Sequence, residues 1–229
     1  MVSKRMQRVS EAVNKERLSI GAALEESKRL SEDKETGAKF TESMDVVMRL
    51  GIPVGESVRG SVCPEHGLGK DVKVAVFAKG ESAIAAEKAG AEFVGAEDLA
   101  EKFSKDEISV DVVIASPDMM SVVGKLGRVL GPKGLMPNPK VGTVSPDVAN
   151  AVNNAKKGQI FFRTDKTGAV YARVGPASFT VDQLTDNVKL MVAEIKRLKP
   201  ARAKGAYIRS FYVNTTMGPG VEVDPHSLD

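Results

Sequence analysis

The side chains that could carry covalent chemistry are not combined in this 229-residue sequence as that chemistry requires. Its two histidines, His66 and His226, sit in loop-like settings with no nucleophile beside them, so no catalytic triad is indicated. The single cysteine, Cys63, excludes an intramolecular disulfide, and Cys63 with His66 supplies too few ligands for structural zinc. A P-loop fails as well, because the nearest stretch, Gly67-Leu68-Gly69-Lys70-Asp71, is wrong at both ends. No catalytic residue, metal or cofactor is assigned.

Chemistry suited to anions is concentrated in two places. Residues 124–140 read GKLGRVLGPKGLMPNPK, in which Lys125, Arg128, Lys133 and Lys140 face no acidic residue. The glycines would let phosphates approach main-chain N–H groups, and the prolines restrict the loop to few conformers. A stiff connecting loop at a sheet edge reads the same way. In the second place, residues 195–221, Lys196, Arg197, Lys199, Arg202, Lys204 and Arg209 meet no acid, which suits a phosphate backbone or, equally, a solvated helix end and loop. The net charge of +3 is mild, and residues 70–156 carry −1 of it, so the flanks hold the positive excess.

These residues must be positioned by folded elements. A hydrophobic fraction of 42% with 28% charged residues is that of a globular protein long enough for two domains. No apolar run approaches the ~20 residues of a membrane span, and the basic start is not followed by an apolar stretch, so a cytoplasmic protein with no membrane partner is expected. From residue 72 to 117, short apolar runs alternate with helical stretches: strands at 73–78, 91–95 and 110–115, helices at 81–89 and 96–103. That order implies parallel strands with right-handed crossovers, an open α/β, Rossmann-like domain. A doubly wound nucleotide-binding enzyme is the alternative, but Ala78-Lys79-Gly80-Glu81 lacks the spaced glycines of a dinucleotide turn.

The ends differ. Residues 42–50 alternate like a strand with one wet face, and 57–62 could pair with it. Residues 159–164 and 169–174 flank the turn Asp165-Lys166-Thr167-Gly168 and predict a hairpin. Thr180 and Gln183 form a capping box for a helix with Leu184, Val188, Met191, Val192, Ile195 and Leu198 on one stripe, ended by Pro200. A further strand covers 206–216. The two ends are expected to form one discontinuous α+β sheet domain, with hinges at 67–69 and 156–158.

The stretch 124–140 resembles the signature of the L-one family of large-subunit ribosomal proteins, almost without a gap. Further blocks agree in order: Ala38-Lys39-Phe40, Val58-Arg59-Gly60, His66-Gly67-Leu68-Gly69-Lys70, Asp165-Lys166-Thr167-Gly168, Arg209-Ser210 and Thr215-Thr216-Met217-Gly218-Pro219. The resemblance covers residues 20–226. It implies a discontinuous RNA-binding domain over 1–67 and 158–229 and an inserted open α/β domain over 68–157. It also implies a non-enzymatic protein, a monomer when free, that binds large-subunit ribosomal RNA at the mobile stalk. There it would act beside the exit site, assisting release of deacylated transfer RNA, and bacterial members also repress translation by binding their own mRNA.

Carried over residue by residue, the RNA contacts fall on Lys39, Phe40, Ser43, Lys166, Thr167, Arg209, Ser210, Thr216, Met217 and Gly218. Short hydroxyl side chains and a glycine backbone can reach 2′-hydroxyls and base edges of folded RNA. Lys39, Lys166 and Arg209 would face phosphates, setting affinity rather than specificity. Phe40 would stack on the RNA or pack in the core; Met217 would lie against a sugar or base, or simply be an exposed turn residue. The chain departs from the family in having Ser43 where Thr is usual, a short loop Pro53-Val54-Gly55-Glu56-Ser57, and Pro64-Glu65 at the suspected hinge.

Overall fold

Along the chain of the computed structural model, α1 (Lys4–Ala12) and α2 (Ile20–Glu32) lead to β1 (Ser43–Leu50) and β2 (Arg59–Val62). Next come β3 (Val74–Phe77), α3 (Glu81–Lys88), β4 (Phe93–Gly95), α4 (Glu97–Ser104), β5 (Val112–Ala115), α5 (Met120–Lys125), α6 (Gly127–Leu130) and α7 (Val148–Lys156). The chain ends with β6 (Ile160–Arg163), β7 (Ala169–Pro176), α8 (Val181–Arg197), β8 (Ile208–Thr215) and β9 (Val221–Val223). The structure describes residues 4–13, 16–33, 35–53, 55–105 and 107–228, so Val54 of the short loop lies outside it, as does the side chain of His226. Two compact units result: Met1–Gly69 with Ile160–Asp229, and Lys70–Gln159.

In the discontinuous unit, alternation along β1 decides the layering. Met44, Val46, Met48 and Leu50 are buried, while Ser43, Asp45, Val47 and Arg49 lie on the other face. β1 is central in an antiparallel sheet of order β7-β1-β8-β9. The buried face joins one core with Ile20, Ala23 and Leu24 of α2 and Leu184, Val188, Met191, Val192 and Ile195 of α8. α8 starts at the expected capping box: Thr180 Oγ1 accepts from the Gln183 N–H (3.3 Å) and Gln183 Oε1 accepts from the Thr180 N–H (3.1 Å). Such a cap contributes about 1 kcal/mol.

Two expected pairings are corrected. β2 pairs not with β1 but with β6, Arg59 opposite Arg163 and Val62 opposite Ile160. Both edges of β1 are already occupied by β7 and β8. The small sheet instead closes over the end of α8, so tightly that a Cβ on Gly60 would lie 2.6 Å from Leu198 Cδ1 and 2.7 Å from Phe162 Cζ. The turn at 165–168 forms, with Gly168 at φ +81°, but its flanking strands diverge into different sheets. They meet only at the Thr164–Val170 bridge, so no regular hairpin exists there.

The inserted unit is a parallel sheet of order β4-β3-β5. Every residue of β3 and β5 is buried, as strands covered on both faces must be. The fold class read from sequence, a discontinuous α+β sheet domain with an inserted open α/β domain, is the one observed. The stretch 124–140 is not an open loop throughout. Met119, Val123, Leu126 and Leu130 are buried at helical spacing, and they wind its first half into α5 and α6.

Candidate nucleic-acid interface

A buried carboxylate organises one end of the four-stranded sheet. Glu42, just before β1, has a side chain only 1% exposed. Its Oε1 accepts from the Ala38 N–H (3.1 Å) and its Oε2 from the Met217 N–H (2.9 Å). Arg5 of α1 stands 3.8 Å from the same carboxylate and donates to the carbonyls of Thr36 (2.7 Å) and Met217 (3.3 Å). The loop before β1 and the turn after β8 are thereby joined. A second link lies beside it, where Thr216 Oγ1 accepts from the Ser43 N–H (2.9 Å) and the Thr216 N–H donates to the Ser43 carbonyl (3.0 Å).

Six of the residues expected to touch RNA are brought together here: Lys39, Phe40, Ser43, Thr216, Met217 and Gly218. Phe40 is 56% exposed and Met217 48% exposed, so Phe40 is not a core residue. Gly218 closes the turn through its N–H to the Thr215 carbonyl (3.1 Å). A Cβ there would stand 2.2 Å from Thr215 Oγ1, so the tight turn admits glycine alone without rearrangement.

The other four, Lys166, Thr167, Arg209 and Ser210, lie at the far end of β1. Ser210 pairs with Arg49, and the 165–168 turn is tied to β1 by the Leu50 N–H donating to the Gly168 carbonyl (2.9 Å). The strand between the ends spans roughly 20 Å. Asp165 shapes this turn by accepting from the N–H groups of Thr167 and Ala169, both at 2.8 Å, and from the Thr167 hydroxyl at 2.8 and 2.9 Å. The Thr167 hydroxyl, followed by the Ala169 N–H, holds the Asp165 carboxyl below the usual carboxylate range. The Thr167 proton is therefore already committed, and Lys166 is the cation of a turn in which Asp165, Lys166 and Thr167 are all exposed.

The open sheet face joins the two ends. Reading across strands, its rows are Arg173-Asp45-Asn214, then Tyr171-Val47-Tyr212, then Ala169-Arg49-Ser210. Sequence reasoning missed Glu42, Arg5, Arg49 and both tyrosines. The alternation of β1 carried the signal for Arg49, since it shares a face with Ser43; nothing local marks Glu42 as buried. On the inserted unit, Lys125, Arg128, Lys133 and Lys140 are all exposed, spread over α5, α6, a turn and the 3-10 helix Pro139–Val141. Among the described residues no group of three or more His, Cys, Asp or Glu could hold a metal ion, and no helix is long and apolar enough to cross a membrane.

Residues 30–219 match the model of the "Ribosomal protein L1p/L10e family". The chain is 53% identical over 195 residues to the large ribosomal subunit protein uL1 of Vibrio atlanticus, covering 84% of this chain and 83% of that one. It is 54% identical over 195 residues to the protein of the same name from Shewanella frigidimarina, covering 84% of each. With the one from Alkalilimnicola ehrlichii it is 52% identical over 196 residues, 84% of this chain and 85% of that one. A match of this extent takes in Glu42 and the Ala38 and Met217 segments it ties together, β1, β7 and β8 of the open sheet face and the whole inserted unit, and it identifies the chain as a member of the ribosomal protein L1p/L10e family.

Proposed function

We propose that this chain is a structural component of the large ribosomal subunit, located with the ribosome in the cytoplasm, and that its discontinuous unit grips a folded segment of large-subunit ribosomal RNA. The observation that carries the reading is the Glu42-braced cluster. It presents Lys39, Phe40, Ser43, Thr216, Met217 and Gly218 on backbone segments locked to one another. Backbone groups and short hydroxyls held in fixed positions suit recognition by shape. Lys166, Arg209 and Ser210 at the other end of the sheet, with Thr167, supply a second point of attachment. The exposed cations of the inserted unit, Lys125, Arg128, Lys133 and Lys140, would face transfer RNA at the exit site and assist its release when deacylated. The same surface of the discontinuous unit would bind a mimic of the ribosomal site in the chain's own mRNA and repress translation. The role is non-enzymatic.

The test is the affinity for the stalk segment of the ribosomal RNA against a scrambled RNA of equal length, across a salt titration. Wild type should prefer the stalk RNA by orders of magnitude. Thr216→Val should lose about tenfold of that preference, a cost of about 1.4 kcal/mol, while the salt slope stays unchanged. Equal binding of both RNAs by wild type, or an unchanged preference in Thr216→Val, would overturn the assignment of this site.

A further inference from the structure

The open face of the four-stranded sheet carries an unusual middle row. Tyr171 is 59% exposed and Tyr212 36% exposed, and both pair with Val47, one from each side. Among the described residues, the exposed large hydrophobic side chains are Phe40, Ile84, Met136, Tyr171, Tyr212 and Met217. Four of these six lie on this face or at its Glu42 end. Concentration of apolar surface on one side of a sheet marks a site that something else covers.

We propose that this face is a stacking platform for unpaired bases of the bound RNA, with the rings of Tyr171 and Tyr212 as the stacking groups. The proposal rests on the RNA-binding reading above and names what that site takes between its two ends. Three observations favour nucleotides over a protein strand or helix. First, the face is continuous with both clusters, so an RNA held at Ser43 and at Ser210 must pass over it. Second, the rows on either side of the tyrosines carry Arg173 and Arg49, guanidinium groups that can meet the phosphates of a strand crossing the face, with Asp45 opposite Arg173. Third, strands about 4.8 Å apart place the two tyrosines roughly 10 Å apart across Val47. Rings at that spacing do not stack on each other, so each can take a base of its own, as sheet-face aromatics do in single-stranded RNA recognition.

The chain supplies its own probe, since it has no tryptophan and three tyrosines, the third of which, Tyr207, is buried. Tyrosine emission is measured while the stalk segment of large-subunit ribosomal RNA is titrated into the full chain. The double variant Tyr171→Phe/Tyr212→Phe retains only Tyr207 and fixes the baseline for light absorbed by the RNA. Quenching in wild type should exceed that baseline at the stoichiometric point. The Phe variant should bind within about twofold of wild type, because phenylalanine still stacks. A Tyr171→Leu/Tyr212→Leu variant should lose about tenfold for each ring, with an unchanged salt slope, since no charge is removed. Wild-type emission that follows the baseline, with tight and selective RNA binding retained, would leave the face to a protein neighbour and overturn the proposal alone. That result is readable even if the Leu variant folds poorly, because it is obtained on wild type. Failure of wild type to prefer the stalk RNA over a scrambled one would overturn the RNA reading and the platform with it.

Discussion

Glu42→Gln isolates the part of the site that shapes it without offering a group to the ligand. The wild-type carboxylate has two acceptor oxygens, one on the Ala38 N–H at 3.1 Å and one on the Met217 N–H at 2.9 Å. Glutamine has the same shape but only one oxygen, so in either orientation its amide NH2 faces a backbone N–H and one of the two bonds is lost. A hydrogen bond to a charged group contributes about 1.5–3 kcal/mol. Removing a carboxylate that is buried with Arg5 at 3.8 Å returns part of that, because its desolvation cost disappears. A net loss of about 1–2 kcal/mol of folding stability is expected, read as a lowered denaturant midpoint with an unchanged m-value. Whichever bond is lost, either the Lys39–Phe40 loop or the Met217–Gly218 turn is freed and must be reordered when RNA binds. That reordering should weaken stalk-RNA binding by about tenfold at fixed salt, with the slope against salt unaltered. Affinity within twofold of wild type, alongside the expected loss of stability, would refute the claim that Glu42 preorganises the interface. A reduced salt slope would show instead that it acts through charge.

Three further outcomes are expected. Gly218→Ala places a methyl 2.2 Å from the hydroxyl of the buried Thr215, so that side chain or the turn must shift; stalk-RNA affinity should fall about tenfold and stability by about 1–3 kcal/mol, both measurable on one preparation. Asp165→Ala removes a carboxyl held below its usual range by the Thr167 hydroxyl and the turn's N–H groups. Because its folded value is depressed, the stabilisation is complete above the unfolded value of about 3.9 and is lost as pH falls through the folded one. The Tm gap between wild type and variant should therefore be constant above about pH 5 and close below about pH 4. Lys125→Gln/Arg128→Gln/Lys140→Gln should leave stalk-RNA affinity within about twofold while weakening transfer RNA binding and reducing its salt slope by about two to three.

Where a structural choice is local, the sequence states it. The alternation from Met44 to Leu50, the Thr180–Gln183 box and the apolar runs of β3 and β5 each depend on neighbours within a few residues, and all appear as expected. Choice of partner is not local. β2 and β6 have the composition of any short strand, and only the occupied edges of β1 and the crowding of Gly60 against Leu198 and Phe162 send them to each other. Glycines at 124, 127 and 131 conceal the helical spacing of Val123, Leu126 and Leu130, so the stretch reads as loop while its apolar residues wind it. Burial of Glu42 is the least legible feature, because the groups that satisfy it come from Arg5, Ala38 and Met217, three separate segments of the chain. Family resemblance marked the residues at the surface of the site; the group holding them in place was visible only in the fold.

That division bears on how the two units would handle RNA. The open face of the discontinuous unit mixes Arg173 and Arg49 with Asp45 and Glu222, so charge alone gives it little attraction for a polyanion. Burial moreover raises the pKa of Asp45, with Arg173 acting against that shift, which marks its negative charge as a cost borne by the folded state at neutral pH. A surface of this kind gains selectivity only if its donors and acceptors are fixed before the ligand arrives. The bonds of Glu42, the Ser43–Thr216 link and the Asp165 turn do this within the folded chain. The segment that carries Lys125, Arg128, Lys133 and Lys140 is the opposite case, with four exposed cations and no acidic residue in its sequence from 124 to 140, and under the proposed reading it would suit a partner met through phosphates and readily released. Selective retention and transient contact make different demands on a surface, and under the proposed function separate compact units would allow one chain to meet both.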